Sequence, residues 1–179
     1  FYCDYGNYDY FITAPAEMIV YGSGDLQNPK DVLTAEEMKR LLAASKSDKT
    51  IAIISADEVG KPFMRPTSNG NLTWHFKMNN TRDVAFAASK GLIWDAAKIN
   101  LPSGRKALAM SCYPVESAGT AAWARSTEYL KASIEIYSEH FFEYPWNNAV
   151  SSAGITEGME YPGMIFNNYN ETNASLWFL

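Results

Sequence analysis

The chain has 179 residues, of which 47% are hydrophobic and 20% are charged, so its composition is that of a globular protein and not of a disordered segment. The net charge of −5, without any cluster of Lys or Arg, argues against nucleic acid and anionic membranes as partners. The sequence contains no apolar run of transmembrane length.

Alternating polar and apolar residues predict a mostly antiparallel β region over the first 117 residues. The alternation is clearest over 72–78, where Trp74 and Phe76 point to one face and His75 to the other. The predicted strands of this region are Tyr8–Thr13, Met18–Tyr21, Thr50–Ser55, Leu72–Met78, Val84–Ala88, Leu92–Asp95 and Lys106–Tyr113.

One helix interrupts these strands. Thr34 and Glu37 have the spacing of a capping box, in which each side chain bonds the other residue's backbone N–H. The sequence therefore predicts a helix from Thr34 to about Ser45, and its buried face consists of Met38, Leu41 and Leu42.

The pattern changes after residue 117, since no Gly or Pro occurs from Ala121 to Tyr144. Apolar residues recur there at helical spacing, which predicts a helix over Ala121–Phe142 that Pro145 ends. The residues expected to bury one stripe of this helix are Trp123, Leu130, Ile134, Tyr137 and Phe141. Two short strands are predicted after it, Ala149–Ala153 and Gly163–Phe166.

Histidine and cysteine are scarce, with two of each in the chain. His75 and His140 form no His-x-x-x-His pair, so each is interpreted as a structural histidine, and no zinc site of the metalloprotease type is expected in this chain. Cys3 and Cys112 are either free buried thiols, the interpretation we favour, or one long-range disulfide. No catalytic residue and no metal ligand is assigned.

The segment 154–166, GITEGMEYPGMIF, lies between the last two predicted strands. Gly158 in a strand allows another backbone to approach closely, and Glu160 could then bind the free α-ammonium group of a peptide lying beside that strand. Such a charge-assisted bond contributes about 1.5–3 kcal/mol. The alternative is a solvated carboxylate before an ordinary turn, and spacing alone favours this alternative.

Residues 157–161 resemble the Gly-x-Met-Glu-Asn exopeptidase motif of the aminopeptidase N-type zinc metallopeptidases, the gluzincin group that also contains leukotriene hydrolase. Glu157 replaces the first Gly and Tyr161 the Asn, while Met159 and Glu160 are retained. The preceding helix with its Tyr-Pro pair, and the segment 74–87, are similar to the same family. The resemblance covers most of the chain and is specific over 143–166.

The resemblance implies an α+β, β-rich fold, in which an antiparallel β-sandwich or saddle segment is followed by a long helix and by short strands that begin a thermolysin-like domain. Residues 1–117 are expected to be the second half of the N-terminal β-rich domain, with a helical insertion near 34–46. Residues 118–179 are expected to begin the catalytic domain. The zinc-binding motif is expected beyond Leu179, so that zinc belongs to the parent protein.

By the same resemblance, the chain is a fragment of a zinc-dependent aminopeptidase that removes N-terminal residues from peptides. Its substrate-binding residues are Gly158, Met159, Glu160 and Tyr161. Its expected partners are a peptide with a free N-terminus and the remainder of the same polypeptide, and the chain alone is expected to be inactive. The compartment stays open, with an extracytoplasmic location, periplasmic or secreted, as a working expectation.

Two other functions compete with this one. The chain could belong to a catalytically inactive relative that serves as a binding or scaffold module, which the presence or absence of a downstream His-Glu-x-x-His would decide. An aromatic-rich β-sandwich that binds carbohydrate ranks last, because the alternation over 72–78 places Trp74 and Phe76 in the core.

Overall fold

The computed structural model describes residues 3–67, 69–119, 122–156 and 158–169. Strands predominate in these ranges and three α-helices accompany them, which confirms the expected α+β, β-rich class. The strands are β1 (Gly6–Pro15), β2 (Ile19–Gly22), β3 (Asp25–Leu26), β4 (Ile51–Ile54), β5 (Asn71–Thr81), β6 (Phe86–Ser89), β7 (Leu92–Asn100), β8 (Lys106–Pro114), β9 (Asn148–Gly154), β10 (Met159–Tyr161) and β11 (Met164–Asn168). The helices are α1 (Pro29–Val32), α2 (Ala35–Ala44) and α3 (Ser126–His140).

The strands of the described ranges form three sheets. Two are small and antiparallel, with the strand orders β1-β5-β3 and β2-β6. The third is a mixed sheet of six strands in the order β10-β11-β9-β8-β7-β4. Within it, β9 runs parallel to both of its neighbours, β8 and β11.

The main core lies between the six-stranded sheet and the two smaller sheets. The alternation predicted over 72–78 is confirmed, because Trp74 and Phe76 are only 1% and 4% exposed while Lys77 between Phe76 and Met78 faces solvent. From the large sheet, Trp94, Val150 and Met164 are buried in the same core. Burial of apolar area on this scale is the main driving force for the fold.

The large sheet crosses the domain boundary that the sequence predicts after residue 117. β8 ends at Pro114 and α3 leads back to β9, which makes a parallel β–α–β crossover. The pairing of β8 with β9 extends from Leu108 with Asn148 to Cys112 with Ser152. The boundary itself stays a prediction, but the strands on its two sides share one sheet.

Helix α2 begins with the predicted capping box. The backbone N–H of Glu37 donates to Thr34 Oγ1 at 3.2 Å, and the N–H of Thr34 donates to Glu37 Oε2 at 2.7 Å. Met38 and Leu41 pack against the main core as expected. The prediction for Leu42 is wrong, since its side chain is 59% exposed.

Helix α3 confirms only part of the predicted stripe. A 3-10 turn at Trp123–Arg125 precedes the helix, and Trp123 is fully buried. Leu130 and Ile134 pack against a cluster formed by β7, β8 and the turn between them: Ile99, Leu101, Ala107 and Ala109. The prediction is wrong for Tyr137 and Phe141, which were expected in the same buried stripe but are 63% and 81% exposed.

The register of burial along α3 explains this error. The buried or half-buried positions continue from Leu130 through Ile134 to Ser138, which is 7% exposed, so the contact follows steps of four residues. Each residue turns about 100° around a helix axis, so Tyr137 points away from the line that Ile134 and Ser138 share. Hydrophobicity alone favoured Tyr137, whereas the structure buries Ser138, whose hydroxyl accepts a hydrogen bond from the backbone N–H of Tyr144 at 3.1 Å.

We expect Ile134→Ala to destabilise the chain by about 1–3 kcal/mol, less than the full cost of truncating a completely buried isoleucine, because Ile134 is half-buried. Tyr137→Ala should stay within about 0.5 kcal/mol, because the ring is exposed. Both variants place alanine in the same helix and thus share its favourable helix propensity. Urea unfolding of the two variants measures the difference, and equal losses would contradict this helix register.

Candidate functional site

The segment that resembles an exopeptidase motif forms a free edge of the large sheet. β10 pairs antiparallel with β11, with Met159 opposite Phe166, Glu160 opposite Ile165 and Tyr161 opposite Met164. No strand of the described residues pairs with the other side of β10. An unpaired strand edge presents main-chain N–H and C=O groups that an extended peptide can bind.

Gly158 leads the chain into β10 with a backbone φ of +130°. Residues with a Cβ rarely adopt this conformation, whereas glycine adopts it at little cost. The glycine is therefore required by the local backbone, quite apart from any approach of a substrate. Glu157, the residue before it, lies outside the described residues.

The side chains of β10 alternate between two environments. Tyr161 is half-buried, and its ring centroid lies 6.0 Å from that of Phe166 at a near-perpendicular angle of 86°. Both rings pack against the main core, and Met159 on the same side of the strand is 44% exposed. Glu160 lies on the opposite face of β10 and is exposed.

The carboxylate of Glu160 has no hydrogen-bond or ion-pair partner among the described residues. Several other carboxylates of the described residues are paired, for example Glu128 with Arg125 at 2.8 Å and Glu143 with Arg105 at 3.4 Å. An unpaired carboxylate beside a free main-chain edge can bind a cationic group together with peptide backbone. The candidate site therefore combines a carboxylate that can bind a cation with main-chain groups that can pair with a peptide.

The pairing register places Glu160 at the end of a row that crosses the sheet. The row continues through Ile165 on β11, Ser151 on β9, Ser111 on β8 and Asp95 on β7. Residues in register on neighbouring strands share one face of a sheet. Helix α3 packs on this same face, since the residues it contacts on β7 and β8 have the same parity as Asp95 and Ser111.

Asp95 is the buried charge of this row and was not singled out from the sequence. It is 8% exposed, and the hydroxyl of Tyr113 donates to its Oδ2 at 2.6 Å. Burial raises the pKa of the Asp95 carboxyl, and the bond from Tyr113 opposes that rise. β11, β9 and β8 separate it from β10, a distance of about 19 Å at the usual strand spacing, so Asp95 is not part of the Glu160 site. The sequence signal that could have identified Asp95 is its position as an aspartate inside the largely apolar segment 92–99.

The residues of the described ranges do not form a metal site. No group of three or more His, Cys, Asp or Glu side chains in these ranges could hold an ion. His75 instead contacts Asp9, with Nε2 and Oδ1 2.6 Å apart, and stacks on Phe11 at 4.1 Å, as a structural histidine does. His140 is exposed at the end of α3.

Both cysteines are free, so the alternative of one disulfide is wrong. Cys112 is 1% exposed in the main core, as expected of a small hydrophobic residue, and burial raises the pKa of its thiol well above the ordinary value. Cys3 is exposed, so the expectation of burial is wrong for this residue.

None of the helices in the described ranges has the length and apolar character needed to cross a membrane.

Solved structures of M1 zinc metallopeptidases share the fold of this chain. A two-domain M1 zinc metallopeptidase mutant bound to L-arginine is 14% identical, with a TM-score of 0.58 over 98% of this chain and 34% of that protein. An M1 zinc metallopeptidase from Deinococcus radiodurans is 13% identical, with a TM-score of 0.57 over 98% and 33%. A mutant from the same organism bound to a Tyr-Ser-Ala substrate is 13% identical, with a TM-score of 0.56 over 95% and 32%.

No family model matches the chain, and no curated protein matches it. The chain spans about a third of the length of the M1 structures. The likeness to aminopeptidase N-type metallopeptidases is thus confirmed for the fold alone, because identities of 13–14% carry no conclusion about activity.

We expect the purified chain to hold far less than one zinc ion per molecule after dialysis, because its two histidines lack the spacing of a zinc site and the described residues cluster no ligand set. Elemental analysis of the dialysed chain, with a chelator-treated sample as the control, measures the metal content. One zinc per chain that survives dialysis would contradict the placement of the metal in the rest of the polypeptide.

Proposed function

We propose that this chain is part of a zinc-dependent aminopeptidase and that it recognises the free amino terminus of the peptide substrate. The observation that carries the proposal is Glu160, an exposed carboxylate without a partner in the described residues, on the free edge strand of the large sheet. The fold shared with M1 zinc metallopeptidases supports it. One of those proteins is bound to a Tyr-Ser-Ala substrate, which is a peptide.

In this proposal the substrate lies extended along β10 and pairs its main chain with the free edge. The α-ammonium group then meets the carboxylate of Glu160, and the charge-assisted bond contributes about 1.5–3 kcal/mol. A fixed charge at one end of a paired strand sets the register of the peptide. The register determines which peptide bond reaches the reacting groups, so that cleavage falls after the first residue.

The other motif residues contribute mainly through the backbone. The side chain of Tyr161 packs inwards on Phe166, so we assign its role in substrate binding to its main-chain groups. Gly158 likewise offers backbone at the entry to β10, where its φ of +130° sets the direction of the chain. Met159, 44% exposed, lies on the face opposite Glu160.

The catalytic groups belong to the remainder of the polypeptide in this proposal. No cluster of zinc ligands occurs among the described residues, and the proposal assigns the metal to the rest of the parent enzyme. When bound there, zinc polarises a carbonyl or activates water. The residues of this chain bind and orient the substrate, and the chain by itself is inactive.

We expect Glu160→Gln in the parent enzyme to lower kcat/KM for peptides with a free amino terminus about 5- to 30-fold. Glutamine keeps the shape of the side chain but replaces a charge-assisted bond with a neutral one, a difference of about 1–2 kcal/mol. Amino-blocked peptides, which offer no ammonium group, should lose little. Steady-state kinetics on matched free and blocked substrates measures both effects.

Glu157→Gln is the matched control, because it removes the same charge three residues earlier, at a position where the resembled motif has glycine. Its loss should be much smaller. A larger loss in Glu157→Gln than in Glu160→Gln, or an equal loss on free and blocked substrates, contradicts the assignment. A parent protein without any aminopeptidase activity favours the inactive binding module instead.

A further inference from the structure

We infer that Ser23, which lies 139 residues away from Pro162 in the sequence, is a positioning residue for Glu160. Ser23 holds the turn that directly follows β10 and so sets where the Glu160 carboxylate stands. The inference deepens the proposed function, on which its meaning for substrate binding rests. Whether Ser23 holds the β10–β11 turn can be tested without an activity assay.

The hydroxyl of Ser23 makes two hydrogen bonds, one as an acceptor and one as a donor. Its oxygen accepts a hydrogen bond from the backbone N–H of Ala85 at 3.1 Å, so its proton is free to donate. It donates to the carbonyl oxygen of Pro162 at 2.7 Å. Ser23 is 0% exposed, so water does not replace this donor when the hydroxyl is removed.

The backbone of Ser23 is held as firmly as its side chain. Its N–H donates to the carbonyl of Ala85 at 2.8 Å, and its own carbonyl accepts from the hydroxyl of Tyr10 at 2.6 Å. The next residue, Gly24, has a φ of +88°, and a Cβ at that position would stand 2.4 Å from the carbonyl oxygen of Lys77. The loop therefore lies directly on β5 and has little freedom to move.

The same loop also holds the start of β9. Asn148 Nδ2 donates to the carbonyl of Gly24 at 2.8 Å and to Asp25 Oδ1 at 3.0 Å, while Asn147 Nδ2 donates to Asp25 Oδ2 at 2.8 Å. The loop 22–25 thus contacts both the first residue of β9 and the turn after β10. It links the small sheets of the β region to the edge of the large sheet that bears Glu160.

The turn at Pro162 is the place where this link affects β10. The carbonyl of Gly163 accepts from the N–H of Val150 at 3.0 Å, which ties the turn to its own sheet, and Ser23 ties it to the β region. β10 has only three residues and is paired on one side alone within the described residues, so the turn limits its freedom. A displacement of about 1 Å at a binding group can reduce rates 100-fold.

The first test is hydrogen exchange of the chain itself. In Ser23→Ala, amides of the segment 158–166 should exchange about fivefold faster, since about one hydrogen bond's worth of local stability is lost there, while β7 and β8 amides keep their rates. Ser126→Ala is the matched control, because its equally buried hydroxyl donates to the carbonyl of Trp123 at 2.8 Å, away from β10. The control should leave 158–166 unchanged.

The second test places Ser23→Ala in the parent enzyme, alone and together with Glu160→Gln. We expect the single variant to raise KM for free-amino peptides about fivefold with kcat nearly unchanged, and to leave blocked peptides unaffected. If Ser23 acts through Glu160, its effect on KM disappears in the Glu160→Gln background. A general loss of folded enzyme would instead lower kcat equally in both backgrounds.

The outcomes separate the two proposals. Unchanged exchange of 158–166 in Ser23→Ala, or equally faster exchange of β7 and β8, overturns the positioning role of Ser23. Faster exchange confined to 158–166 with additive kinetic effects shows that Ser23 fixes the turn but not Glu160, and it overturns the inference as stated. A parent without aminopeptidase activity removes the proposed function, while the exchange result still decides whether Ser23 holds the turn.

Discussion

The parallel pairing of β9 with β8 on one side and β11 on the other is the constraint on which the rest of the structure depends. β9 is buried over its first five residues, and these are small or polar: Asn148, Ala149, Val150, Ser151 and Ser152. A strand in this position has to satisfy polar groups on both faces. Tyr21 contacts Ser152 at 3.1 Å from the β region, and Asn167 donates to Ser151 at 3.1 Å from β11. Each bond fixes β9 to a different part of the molecule.

This pairing explains why α3 must be long and why only part of it is buried. Parallel neighbours need a crossover, and α3 is the helix that returns the chain from the end of β8 to the start of β9. The helix contacts the sheet through Leu130 and Ile134, and its other face, including Tyr137, stays exposed.

Local signals in the sequence predicted the elements well and their assembly poorly. The capping box at Thr34 and Glu37 and the alternation over 72–78 each act within a few residues, and both are confirmed. The pairing of β8 with β9 joins residues about 40 apart, such as Leu108 and Asn148, and no local period reports it. Glu160 was singled out by resemblance, whereas no sequence motif singled out Ser23. Its role depends on a contact with Pro162, which sequence spacing does not reveal.

The unpaired edge of β10 can pair with strands of other chains, and two features of β10 oppose such pairing. An exposed, unpaired strand invites pairing with other chains, and proteins limit this by keeping edge strands short or by placing charges on them. β10 has three residues and carries Glu160, so the carboxylate discourages unspecific pairing with apolar strands. The same charge favours a partner strand that brings a cationic group, such as an α-ammonium, because a cation neutralises the carboxylate. Under the proposed function, one glutamate thus both protects the edge and selects its ligand, next to a turn that the Ser23 hydroxyl holds through Pro162.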